Sequence, residues 1–381
     1  MESRKLIAGI VSIAVAVSLP VTTAAVGKIL SSDMDLEDLQ KFADKNTYSY
    51  RIFEYEKENA EINADSKEYE LEYYKYLLKS TSESDSRYAE YMLKVAELEK
   101  GSALAEIEQK YYDEDKEEAD KKLLDLTLKS KYYELCGLEN QVEVQRAKVQ
   151  YMKKYAEIEA VKLEGGRTTE TDCRLAKVSL EMAENDLSAA ENAVRIKMRE
   201  ISDFINQYDD TEKFSVECAM PQSLEYRKFD AEKLYEKFSE NNFELEKQRK
   251  SMECDEAYLD VIGKLYGRES DTYKSYSNPY EIDKLNFEAG ENSYKSQITA
   301  MVLNYEQAYK RYVVSAEYIS LLNEKIGIIQ TAYDSGNISE LDYLKQYAEL
   351  KAEMCGGENA VQEADLLYER LCMIEEGIWV D

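Results

Sequence analysis

Histidine is absent from all 381 residues. That removes the Ser-His-Asp and Cys-His arrangements and the commonest zinc ligand in one step. Proline occurs only 3 times, with none between Pro20 and Pro221, and glycine only 14 times. So few breakers over such a length favour long uninterrupted helices over a sheet-rich fold. Tryptophan occurs once, and phenylalanine 8 times against 32 tyrosines. Tyrosine can lie half buried with its hydroxyl in water, which suits thin helical layers. The 6 cysteines, at positions 136, 173, 218, 254, 355 and 372, include no C-x-x-C pair. They make neither a metal cluster nor a dense disulfide framework, and their spacing predicts no pairing. Basic residues are scarce: 49 Lys and Arg face 78 Asp and Glu, a formal charge of −29. A chain this acidic repels nucleic acid and anionic membrane surfaces, so no nucleic-acid partner is expected. No Asp-rich loop has EF-hand spacing, and no metal or cofactor site is expected.

What is present is helix-forming. A third of the residues are charged, in the composition of coiled coils and long helices. Residues 1–25 read as an export signal: Arg4 and Lys5, a largely apolar run from Leu6 to Val17, then Pro20 and the small residues Thr22 to Ala25. The alternative is an uncleaved N-terminal anchor. Either way the bulk of the chain is expected outside the cytoplasm.

Two stretches repeat. Gly166-Arg167-Thr168-Thr169-Glu170-Thr171-Asp172 and Gly336-Asn337-Ile338-Ser339-Glu340-Leu341-Asp342 share Gly, a hydroxyl residue three later, Glu, and Asp six after the Gly. Each reads as a turn between antiparallel helices: Gly ends one helix in the left-handed conformation, and Thr169 or Ser339 caps the next. Arg167, Thr168, Asn337 and Ile338 are then expected at the exposed apex. The second repeated stretch is Asp35 to Tyr48 and Asp230 to Phe243, where, allowing one inserted residue, Asp, Leu, Phe and Asn recur in step before an aromatic. Each opens a short helix, turns at Asn and enters a long charged helix. The chain therefore reads as an internal duplication, with a first helical repeat at 26–215, a linker at 216–228 and a second repeat at 229–381.

The arms flanking each turn carry a narrow apolar stripe in steps of three and four. Tyr294, Ile298, Met301, Tyr305, Ala308 and Tyr312 begin one such arm, and Leu180, Ala183, Leu187, Ala190 and Val194 lie on another. The expected fold is all-α: duplicated long antiparallel hairpins of coiled-coil type with little or no β-structure. A stripe this narrow needs a partner helix, and neighbouring chains. Ser80 to Ser86 reads as a loop, and Gly263 to Gly290, with Pro279, as a longer one.

The two signatures, in this order and duplicated, resemble the TolC-like outer membrane efflux protein family over about 34–375. The resemblance implies that three chains assemble and that their hairpins form a hollow α-barrel. It also implies that the tips meet a periplasmic adaptor (membrane fusion) protein linked to a membrane transporter. On that reading Gly166, Arg167, Thr168, Thr169, Asp172, Gly336, Asn337, Ile338, Ser339 and Asp342 form the docking end, and Asp172 and Asp342 match the family's tip Asp. One departure is plain. Family members close a β-barrel with two strands per repeat, and no ten-residue alternation exists at 69–120 or 263–292.

Two functions follow. One is an exported TolC-like component of an efflux or secretion system in the cell envelope. The other is a non-pore coiled-coil scaffold at the cell surface. An enzyme is disfavoured, because the many carboxylates read as solvated helix surface and thin helices offer little concavity.

Overall fold

The computed structural model describes residues 35–206 and 224–380. The expected signal segment and most of the linker lie outside them. Among the described residues there are nine helices and no strand. They are α1 (Leu36–Asn46), α2 (Tyr48–Ser80), α3 (Tyr88–Glu114), α4 (Lys116–Glu164), α5 (Glu170–Phe204), α6 (Ala231–Asn241), α7 (Phe243–Tyr266), α8 (Asp271–Asp334) and α9 (Glu340–Glu375). No described helix is long and apolar enough to cross a membrane.

The opening helices form as their caps dictate. The Asp35 carboxylate accepts from the Asp38 N–H at 2.8 Å, and Asp230 caps α6 through Glu232 and Lys233. Both helices have 11 residues. The chain turns at Asn242 in the second copy, as expected, and in the first at Thr47, one residue after Asn46. Asn242 also caps α7, accepting from the Leu245 N–H at 3.0 Å.

The long helices pack in two four-helix layers. Towards the tips the order across the layer is α5, α4, α9, α8. At the far end it is α2, α3, α7 and the first part of α8. Between them lie two apolar clusters built alike. Leu39 and Ala43 of α1 sit with Leu128, Tyr132, Leu135 and Ile201, while Leu234 and Phe238 of α6 sit with Ile298, Val302, Tyr305 and Leu371. The halves are joined there by a largely buried ion pair. Lys129 Nζ reaches Asp365 Oδ2 at 2.7 Å and Glu369 Oε1 at 2.8 Å, and the Tyr133 hydroxyl donates to the same Asp365 oxygen. Burial alone would depress the Lys129 ammonium, but its hydrogen bonds to both carboxylates outweigh that and raise it.

The far layer corrects one expectation. Gly263 to Gly290 is not a long loop. The chain turns only between Tyr266 and Asp271, where Gly267 has φ +82° and Ser270 caps α8 by accepting from the Tyr273 N–H. Helix α8 then runs 64 residues straight through Pro279. A single proline costs one backbone bond and a local clash. The many remaining bonds of so long a helix carry it. The stretches 69–120 and 263–292 hold helices and turns, with no strand.

Candidate functional site

The two tips are built on one backbone plan. At the first, α4 ends in Gly165, Gly166 takes φ +69°, and the N–H groups of Gly166 and Arg167 donate to the carbonyls of Leu163 and Lys162 at 3.0 and 2.7 Å. At the second, Gly336 has φ +75°, and Gly336 and Asn337 donate to Tyr333 and Ala332 at 2.9 and 2.8 Å. This crossed pair is a Schellman closure, and it satisfies carbonyls that would otherwise be orphaned. The next helix is capped in the same register. Asp172 N–H donates to Thr169 Oγ1 at 3.1 Å, and Asp342 N–H donates to Ser339 Oγ at 3.1 Å. Only the first tip closes the full capping box, with the Thr169 N–H returning to the Asp172 carboxylate.

Behind this shared backbone the tips differ. Thr168 turns inward and donates to Glu159 Oε2 at 2.9 Å, and Glu159, only 5% exposed, also takes Lys162 Nζ at 2.7 Å. Hydrogen bonds from Lys162 and then Thr168 hold the Glu159 carboxyl below its ordinary range. Those from Thr169 do the same for Asp172. In the second tip the matching positions are apolar: Ile338 packs into a cluster containing Ile329, Leu322 and Leu350. Thr168 and Ile338 are therefore half-buried and not at the apex, because each plugs its own hairpin. Arg167 and Asn337 are the exposed apex residues. Lys154 of α4, ten residues before that helix ends at Glu164, reaches Glu340, the first residue of α9, at 2.5 Å, so the first tip stands about 15 Å beyond the second.

The layer edges were not legible as a site from the inner stripes alone. On α5 the outer face shows Leu175, Val178, Met182, Asn185, Ala189, Asn192 and Ile196, all exposed. On α8 the outer face shows Leu303, Val314, Leu321 and Ile328, again exposed. These stripes run in steps of seven, on α8 from Val314 to Ile328, beside the buried ones, and a search for two stripes per helix would have found them.

No family model matches the chain, and no curated protein matches it by sequence. Solved structures do match. The outer membrane protein VceC of Vibrio cholerae is 13% identical, with a TM-score of 0.55, over 91% of this chain and 97% of that one. The CmeC outer membrane channel of Campylobacter jejuni is 11% identical, with a TM-score of 0.57, over 90% and 86%. A membrane protein from Pseudomonas aeruginosa is 10% identical, with a TM-score of 0.58, over 90% of each. At these identities the likeness is one of fold, and the fold of this chain is that of the TolC-like outer membrane channels.

Proposed function

We propose that the chain is an exported component of an efflux or secretion system in the cell envelope, duplicated from one hairpin unit. Copies of it close a ring by packing α8 of one against α5 of the next. The tips dock a membrane-fusion adaptor that serves a membrane transporter.

The observation that carries this reading is the matched pair of edge seams. Helices α5 and α8 are the two outer members of the tip layer and do not touch each other within one chain. Leu175 lies six residues after the cap Thr169, and Ile328 lies six before Asp334, the last residue of α8. From there Leu175, Met182, Ala189 and Ile196 run away from one tip, and Ile328, Leu321, Val314 and Gln307 run away from the other, all in steps of seven. Two different faces that fit each other make a head-to-tail contact, which closes a ring if the rotation allows. The count of three follows the family resemblance. Arg167 and Asn337, the exposed apex residues, are the contacts assigned to the adaptor.

Light scattering on the chain from about Val26, across a range of concentrations, tests the ring. A stable trimer is expected. A chain that stays monomeric at high concentration overturns it and leaves the non-pore scaffold. Docking is tested separately: Arg167→Glu is expected to weaken capture of the adaptor with helicity unchanged.

A further inference from the structure

The cysteines are not alike. Of the 6, all but Cys218 lie among the described residues. Cys173, Cys254, Cys355 and Cys372 are thiols. The Cys355 thiol has Gln141 Oε1 as its acceptor at 3.9 Å. Burial pushes the Cys254 and Cys372 thiols up, which keeps them protonated and unreactive. Cys136 differs, because its sulfur is in a disulfide. It is 2% exposed and packs with Leu39, Ala43, Leu135, Ile201 and Ile205, where α1, α4 and α5 meet.

We infer that Cys136 is bonded to Cys218 of the same chain, and that this bond staples the crossover between the two halves to the base of the first hairpin. The pairing stands whether or not copies form a ring. Only the compartment in which the bond is made rests on the export proposed above.

Three arguments select the partner. First, the other four cysteines are thiols, which leaves Cys218. Second, a sulfur buried this deeply is out of reach of a cysteine on another copy. Third, the chain reaches. Ile201 and Ile205 at the end of α5 share the Cys136 cluster, and Cys218 follows Asn206 by 12 positions, which span up to about 40 Å. The bond makes a covalent loop of the first hairpin, up α4, round 166–172 and back down α5. The second hairpin has Glu306 at the matching place, 170 residues on, and so has no such staple. The other end of the crossover is held by hydrogen bonds alone. The Leu224 N–H donates to the Tyr312 hydroxyl at 3.0 Å, and the Tyr309 hydroxyl donates to the Leu224 carbonyl at 3.1 Å. Arg227 reaches Glu375 at 2.6 Å. The crossover is therefore a second tie between the halves, beside the Lys129–Asp365 pair. Making the bond is an oxidation. Two S–H bonds break and one S–S bond forms, and the two electrons and two protons pass to the disulfide of a thiol oxidase, which leaves as a dithiol. Such a bond persists outside the cytoplasm, where the export signal would send the chain.

The test takes the full chain from the cell envelope, denatures it in iodoacetamide without reductant, and maps the peptides by mass spectrometry. One linked peptide pair holding Cys136 and Cys218 is expected, with alkylation at 173, 254, 355 and 372. Alkylation of Cys136, or its linkage to any other cysteine, overturns the pairing. The N-terminal peptide in the same map reports whether residues 1–25 have been removed, so the export reading and the pairing fail separately. The staple's role is read with Cys218→Ser, which leaves the buried cluster intact. Hydrogen-exchange protection at Ile201 and Ile205 is expected to fall about tenfold or more, with Ile329 in the second hairpin unchanged. Equal protection in the variant and the parent overturns the staple.

Discussion

A methyl group has consequences of different size at two glycines that share a left-handed backbone. At Gly166, φ is +69° and an added Cβ meets nothing within 4 Å. Gly166→Ala is expected to cost about 1 kcal/mol, the backbone penalty alone. At Gly377, φ is +87° and the Cβ would lie 2.5 Å from the Asn241 carbonyl. The segment is also held by Asn242 Nδ2 donating to the Gly377 carbonyl at 2.8 Å. Gly377→Ala is expected to cost about 3 kcal/mol or more, and urea unfolding of the two variants side by side checks the contrast. The tips differ in their response to acid. The depressed Glu159 and Asp172 carboxyls add stability above the ordinary carboxylate range, about pH 4, and lose it as pH falls through their folded values. The matching contact in the second tip, Ile338 on the Ile329 cluster, has no proton to gain. Hydrogen-exchange protection at 166–172 should therefore fall relative to 336–342 as pH drops from about 6 to about 3, while helicity is retained.

At the level of elements, the joint between the halves depends on Lys129. Asp365→Asn removes its closest carboxylate in a largely buried setting and leaves one amide oxygen for Lys129 and Tyr133 to share. A loss of about 3 kcal/mol is expected. The double change Lys129→Met with Asp365→Leu should recover part of it, as read by thermal unfolding. This joint was invisible in the sequence, because nothing local links position 129 to 365. The tips were legible because Gly, a hydroxyl cap and Asp encode a turn within seven residues. The opening helices were legible for the same reason, apart from the one-residue shift of the first turn to Thr47. The run of α8 was not. Gly263, Gly267, Pro279 and Gly290 crowd one stretch, yet only Gly267 takes a positive φ, and the helix absorbs the proline. Breaker residues mark where a helix is weakened, whereas its end is set by whether the neighbouring turns still pack.

For the whole molecule, neighbouring residues on α8 separate folding from assembly. Leu322 is 4% exposed within the second hairpin and Leu321 is 54% exposed on its edge. Leu322→Ala is expected to lower stability by about 2–5 kcal/mol and leave the oligomer mass unchanged. Leu321→Glu is expected to reduce the mass to that of one chain with helicity retained, and to remove the dependence of unfolding on protein concentration, read by light scattering and urea titration. The two halves also differ mechanically. In the first, the long run from far end to tip is jointed at Asp115, between α3 and α4. In the second, α8 makes the same journey as one unjointed piece of 64 residues, about 96 Å long. Such a piece is expected to move as a lever with its fulcrum at the middle, where Ile298, Val302 and Tyr305 pack beneath α6. An outward swing at the second tip is then an inward swing at the far end, while the jointed half can bend at Asp115 and leave its far end still.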